Sequence, residues 1–183
     1  MNNPLRILSE LDNHLHQEVE LNVYGRAAIA LGFDPGPPFS ATLDVDLIIP
    51  EVQLEAMDAN EDFWLAVENV NVVLAAENLY LTHVFVDRQL ILRQNWLTHR
   101  VPLELSGLRH IRAYRPCVAD LLLTKTMRVD PQDRSDIRLL ASREPLPRSE
   151  WEKVFQDARV PDIPEIMEAF QMNRNWFFEE VAG

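Results

Sequence analysis

Cysteine is nearly absent from this chain of 183 residues, Cys117 being the only one. A single thiol builds neither a disulfide framework nor a thiolate metal cluster, and it suits a reducing, cytoplasmic setting. Basic residues are scarce as well: 17 Lys and Arg face 29 Asp and Glu, a net charge of −12. That balance argues against a broad DNA-binding surface held by phosphate contacts, although a local basic groove remains open. No run approaches the roughly 18 consecutive apolar residues of a membrane span, and the amino terminus has no signal-peptide core, so no membrane partner is expected. Gly-x-x-x-x-Gly-Lys-Ser/Thr, Gly-x-Gly-x-x-Gly and Gly-x-Ser-x-Gly are all missing, which leaves those enzyme classes without support. His14, His16, His99 and His110 show no metal-ligand spacing.

What is present is an ordinary globular composition, 47% apolar and 25% charged, organised around Ala41 to Pro50. In a strand, side chains alternate faces with period two, so Leu43, Val45, Leu47 and Ile49 share one face while Asp44 and Asp46 share the other. Two like charges side by side repel unless a cation or a shared proton compensates them. Carboxylate oxygens suit Mg²⁺ or Mn²⁺, which complete their shells with substrate phosphate and water. A solvated sheet face beside a turn is the competing explanation.

The rest of the chain frames that strand. Leu5, Leu8, Leu11 and Leu15 have helical spacing, predicting an amphipathic helix over 3–18. Glu20 to Tyr24 reads as a strand running into Gly25, and Arg26 to Leu31 as a helix stopped by Gly32. Such a turn offers backbone N–H groups to a phosphate, but glycine between strand and helix is also common punctuation. Phe33 to Phe39 is proline-rich and must be a loop. Helix in two pieces is expected over 51–77, with Phe63, Leu65, Ala66, Val70, Val73 and Leu74 buried. Strands are expected at Leu79–Val86, Gln89–Arg93, Val101–Leu105 and Leu108–Tyr114, helices at Val118–Arg128 and Gln132–Ser142, and two more across 149–181. The fold class is therefore α/β (α+β): a mixed sheet of about five strands flanked by helices, residues 1–142, with a helical C-terminal extension, 143–183, after the linker Glu144 to Arg148. Lys125 shares a helix face with Val118, Leu121 and Leu122, and Asp136 shares one with Asp133, Ile137 and Leu140. A Lys125–Asp136 salt bridge clamping two helices and a lysine serving phosphates are both compatible with that spacing.

Strand, glycine turn, helix, then Thr42-Leu43-Asp44-Val45-Asp46 resembles the nucleotidyltransferase superfamily typified by DNA polymerase beta. The segment Lys125 to Arg128 followed by Asp133-Arg134-Ser135-Asp136 resembles its abortive-infection branch, found in bacterial toxin–antitoxin and phage-defence loci. The resemblance covers roughly residues 19 to 142. It implies transfer of a nucleoside monophosphate from a nucleoside triphosphate to a hydroxyl of a protein or RNA acceptor, with Mg²⁺ or Mn²⁺. By it, Asp44, Asp46 and Lys125 would be catalytic, and Gly25, Arg26, Thr42, Lys125 and Asp136 would line the nucleotide. The third metal carboxylate would be Asp87, with Glu104 as the fallback; His83 is read as a ligand, a base or a hydrogen-bonded structural residue. Two departures stand out. Arg26 occupies a position where the family has a small residue, and Ser40 one where it often has Arg. Two readings are compatible with these departures: Arg26 supplies the missing cation from a different position, or the phosphate site is lost and the chain is a catalytically degenerate binding module that acts through a partner protein.

Overall fold

The computed structural model describes residues 3–34 and 42–182. It is a mixed α/β protein that divides into two compact units, one of Met1–Val86 with Val101–Arg115, the other of Asp87–Arg100 with Pro116–Gly183. Among the described residues, no helix is long and apolar enough to cross a membrane. The expected proline loop is described only at Phe33 and Asp34; its remainder and Ser40 lie outside the described residues.

The first unit contains helix α1 (Asn3–His14), strand β1 (Val19–Tyr24), helix α2 (Gly25–Gly32), strand β2 (Asp44–Ile49), helices α3 (Leu54–Asp58) and α4 (Glu61–Leu74), and strand β3 (Tyr80–Val86). The second unit takes the next stretch, including the two-residue strand β4 (Leu92–Arg93). The chain then returns to the first unit as β5 (Val101–Pro102) and β6 (Ile111–Arg115). The five-stranded sheet runs β3-β2-β1-β6-β5. β2 lies between β1, antiparallel to it, and β3, parallel to it. β1 and β6 are parallel, with Val19 opposite Ile111.

Local chemistry explains most of the boundaries. α1 stops at His14 rather than at 18 because the backbone N–H groups of His16 and Gln17 turn away to donate to the Asp62 carboxylate, at 3.0 and 3.2 Å. Within α1, buried Asp12 accepts the N–H groups of Arg109, His110 and Ile111, which ties the loop before β6 to the first helix. α4 starts where the Asn60 side chain accepts the Phe63 N–H. Its buried side is Phe63, Ala66, Val67, Val70 and Leu74. Leu65 and Val73, expected inside, are exposed, because they sit outside the narrower arc that faces α1 and β3.

The second unit holds β4, helix α5 (Val118–Thr124), a 3-10 turn over Lys125–Met127, α6 (Pro131–Arg143), α7 (Arg148–Gln156), β7 (Ala158–Arg159) and α8 (Pro164–Glu180). The strand expected at Gln89–Arg93 is mostly not one. Asp87–Gln89 form a 3-10 turn, and only Leu92–Arg93 pair, with Ala158–Arg159 in a separate two-stranded ladder. Leu90, Ile91 and Leu92 are buried all the same. An apolar run records burial and leaves the partner open. Pro131 at the first position and Asp130 accepting the N–H groups of Gln132 and Asp133 start α6. Trp151, Phe155 and Phe177 form the aromatic centre of this unit, with ring centroids 5.1 to 5.2 Å apart for the pairs made with Phe177.

Candidate metal centre

Asp44 and Asp46 leave the same face of β2, as strand alternation requires, and both are half-buried. Further along that face Ile48 is fully covered. The carboxylates therefore occupy one end of a strand whose other end is core. Val45, Leu47 and Ile49 are buried on the opposite face, whereas Leu43, expected with them, precedes the strand and is 51% exposed. Thr42 is buried and its hydroxyl donates to Asp44 Oδ1 at 2.7 Å, so it orients one of the two carboxylates.

The glycine turn abuts the other carboxylate. Tyr24, the last residue of β1, stands opposite Asp46, and Gly25 follows with φ +65°, a left-handed conformation that glycine adopts without penalty. A Cβ built on Gly25 would lie 3.3 Å from Asp46 Oδ2. Position 25 thus has two reasons to be glycine, its φ and its closeness to Asp46. Arg26 is half-buried in the first turn of α2.

A third donor comes from β3. His83 stands directly across from Asp46 in the β2–β3 ladder, with Nδ1 3.1 Å from Asp46 Oδ1. The Thr82 hydroxyl reaches the same oxygen at 3.4 Å. Asp44, Asp46 and His83 each offer one ligand atom, and these atoms lie within 4.8 Å of one another. Burial and the neighbouring Asp44 charge raise the Asp46 carboxyl above the ordinary carboxylate range, while the His83 and Thr82 contacts act in the opposite direction. Two carboxylates and an imidazole are a chemically sound donor set for a divalent first-row ion.

The other anticipated residues go elsewhere. Asp87 is not part of the Asp44–Asp46–His83 group. It is buried in the second unit, accepts the Trp96 indole N–H at 3.0 Å and has the Arg159 guanidinium 3.7 Å away. Glu104 lies just past β5 and is exposed. Lys125 also belongs to the second unit, where its ammonium sits 2.9 Å from Asp133 and 2.8 Å from Asp136, all three side chains nearly fully buried. Arg128 holds the far side of Asp133. Burial alone would push the Asp133 carboxyl up, but Arg128 and Lys125 outweigh it and hold the group below its usual value. From α8, buried Asn173 donates to the carbonyls of Thr126 and Arg128, fixing the turn that carries the lysine.

A second buried ion pair escaped the sequence reading. Arg93 grips Asp120 through Nε at 3.1 Å and Nη2 at 2.8 Å, and Cys117 Sγ lies 3.0 Å from the same Nη2. The Cys117 thiol is pushed up to about 11, first by burial and then by the Asp120 charge. At neutral pH it is therefore protonated and a poor nucleophile. A cavity of about 760 Å³ between α7 and α8 is lined by Phe155, Phe170 and Phe178, with Arg148 and Arg174 offset by Glu152 and Glu179. Its charges balance, and the carboxylate–imidazole group is not among its walls. No protein-family model matches the chain, and no match is found among curated proteins or solved structures.

Proposed function

We propose that this protein is a metal-dependent nucleotidyltransferase, moving a nucleoside monophosphate from a nucleoside triphosphate to a hydroxyl of a protein or RNA and releasing pyrophosphate. The observation that supports it is the meeting of Asp44, Asp46 and His83 beside the Gly25 turn that opens α2. Asp44, Asp46 and His83 would hold the ion, which when bound supplies positive charge for a triphosphate. Thr42 orients Asp44, and Gly25 keeps the approach to Asp46 open by having no side chain. A locus in toxin–antitoxin or phage defence is part of the same reading and rests on the sequence resemblance alone.

The first test is thermal. Mg²⁺ or Mn²⁺ at about a hundred times its Kd should stabilise the fold by about 2.7 kcal/mol through mass action. Asp44→Asn with Asp46→Asn should remove that response while raising the melting temperature of the metal-free protein, because the repulsion disappears. A metal-dependent shift that survives the double substitution puts the ion somewhere else. Pyrophosphate release from the common nucleoside triphosphates, lost in the same double variant, is the expected activity result.

A degenerate, non-catalytic module is the second reading, favoured by the commitment of Lys125 to two carboxylates and of Asp87 to Trp96. Arg26→Ser separates the two. In an enzyme where the guanidinium contacts phosphate, the change should reduce transfer by a factor on the order of ten or more. In a module where Arg26 fills the phosphate position, the change should instead improve triphosphate binding by opening the turn amides. Calorimetry on both proteins distinguishes the outcomes: tighter binding in the variant excludes the enzyme, and weaker binding with lost transfer excludes the module.

A further inference from the structure

The β2–β3 ladder contains an irregularity whose place in the chain is informative. Tyr80 pairs with Asp44 and Leu81 with Val45, but Asp46 then pairs with His83, skipping Thr82. Regular pairing would set Thr82 opposite Asp46 and His83 opposite Leu47, on the buried apolar face. The extra residue moves the imidazole to the carboxylate face. Bulges are rare in parallel pairs, and where they occur they re-aim side chains. The His83 ring is also stacked on Phe85, with centroids 5.5 Å apart and planes 15° from parallel, which limits its orientation.

We infer that His83 is a ligand of the metal centre and that its nitrogen shifts the site's preference from Mg²⁺ toward later first-row divalent ions. This inference rests on the metal reading proposed above and adds the identity of the ion class. Mg²⁺ takes oxygen donors almost exclusively and sheds water reluctantly. An imidazole in place of a third carboxylate removes negative charge that Mg²⁺ needs and supplies a nitrogen that Co²⁺ or Zn²⁺ binds well, with Mn²⁺ intermediate. His83 stands where a third carboxylate was sought, and neither Asp87 nor Glu104 is in the group.

The test uses the full chain with Mg²⁺, Mn²⁺ and Co²⁺ alone. Since Co²⁺ outranks Mg²⁺ at most sites, the decisive quantity is the change in their affinity ratio when His83 is replaced. His83→Gln should weaken Co²⁺ by about tenfold or more, a loss at least as large as that from removing an outer-shell partner, and leave Mg²⁺ within about threefold. His83→Asp should move the ratio further toward Mg²⁺. Pulsed electron paramagnetic resonance of bound Mn²⁺ should show coupling to an imidazole nitrogen in the wild type and none in His83→Gln. The His83 side chain is 58% exposed, so His83→Gln should keep the apoprotein melting temperature, whereas His83→Asp adds a third carboxylate beside Asp46 and should lower it in the metal-free protein. An unchanged ratio without nitrogen coupling, in a protein that still loses its ions on Asp44→Asn with Asp46→Asn, overturns the role of His83 alone. Failure of every ion to bind the wild type overturns the metal centre itself, and this inference with it.

Discussion

Lys125→Met is expected to lower stability by about 3–5 kcal/mol, the range for breaking a buried ion pair by removing one partner. The size follows from what is left behind: Asp133 and Asp136, both nearly fully buried, would face each other without the ammonium that now lies within 2.9 Å of each. Arg128 still reaches Asp133, but its own side chain is 73% exposed and its charge is partly screened by water. Urea unfolding checks the loss. Adding Asp136→Asn to Lys125→Met should recover part of it, since the surplus charge is what costs energy. The pH profile gives a second readout. Asp133 is held below its unfolded value, so its contribution is present above the unfolded carboxylate pKa and is lost as pH falls through the lower folded value. Without Lys125 that depression shrinks, so less stability is lost between the unfolded and folded pKa values and the acid limb of the stability curve should be shallower than in the wild type. If Lys125→Met unfolds at the wild-type urea concentration, the ammonium is not a clamp.

Around Lys125 and around Asp46, local sequence pattern reached its limit at different points. Helical spacing placed Lys125 and Asp136 on apolar faces, and α5, the following turn and α6 do carry them inward. The bridge between them was one of two outcomes that spacing allowed, and it forms with Asp133 as an additional partner. Strand alternation likewise set Asp44 and Asp46 on one face from a ten-residue segment, because a period of two needs only local information. The third donor was not legible in the same way. His83 reaches Asp46 only because β3 carries one extra residue against β2, and a register shift between strands more than thirty residues apart leaves no local periodicity. Asp87 was the natural expectation at the end of β3. The chain turns there into a 3-10 segment, and buried Trp96 takes the carboxylate as an acceptor for its indole N–H.

The strand expected at Gln89–Arg93 was lost to partners more distant still in the chain. Leu90-Ile91-Leu92 is apolar enough for a buried strand, yet among the described residues only Leu92 and Arg93 pair in a ladder, and their partners, Arg159 and Ala158, lie 67 and 65 positions downstream. What fixes this segment is electrostatic. The backbone N–H and guanidinium of Arg93 both donate to Asp120, which is completely buried on α5. An arginine after an apolar run and an aspartate at the third position of a helix carry no mark of that pairing in the sequence.

Asp120→Asn should therefore be as damaging as the loss of Lys125, again about 3–5 kcal/mol, because a half-buried guanidinium loses its bidentate partner. Destabilisation alone would not identify the interaction, and Cys117 supplies a reporter that does. Its thiol is pushed up to about 11 by burial and by Asp120, while Arg93 pulls it down. Asp120→Asn removes the negative charge and keeps the positive one, so the alkylation rate of Cys117 should gain its thiolate at lower pH than in the wild type. Arg93→Met does the reverse: it leaves Asp120 beside the sulfur uncompensated, and the thiol should titrate higher still. Both substitutions break the same pair and cost similar stability, so simple loosening of the fold would move the two profiles together toward the ordinary thiol value of about 8.5. Opposite shifts, read from the pH dependence of iodoacetamide labelling under native conditions, would assign the effect to charge. Parallel shifts would mean that Arg93 and Asp120 do not act on Cys117 as an ion pair.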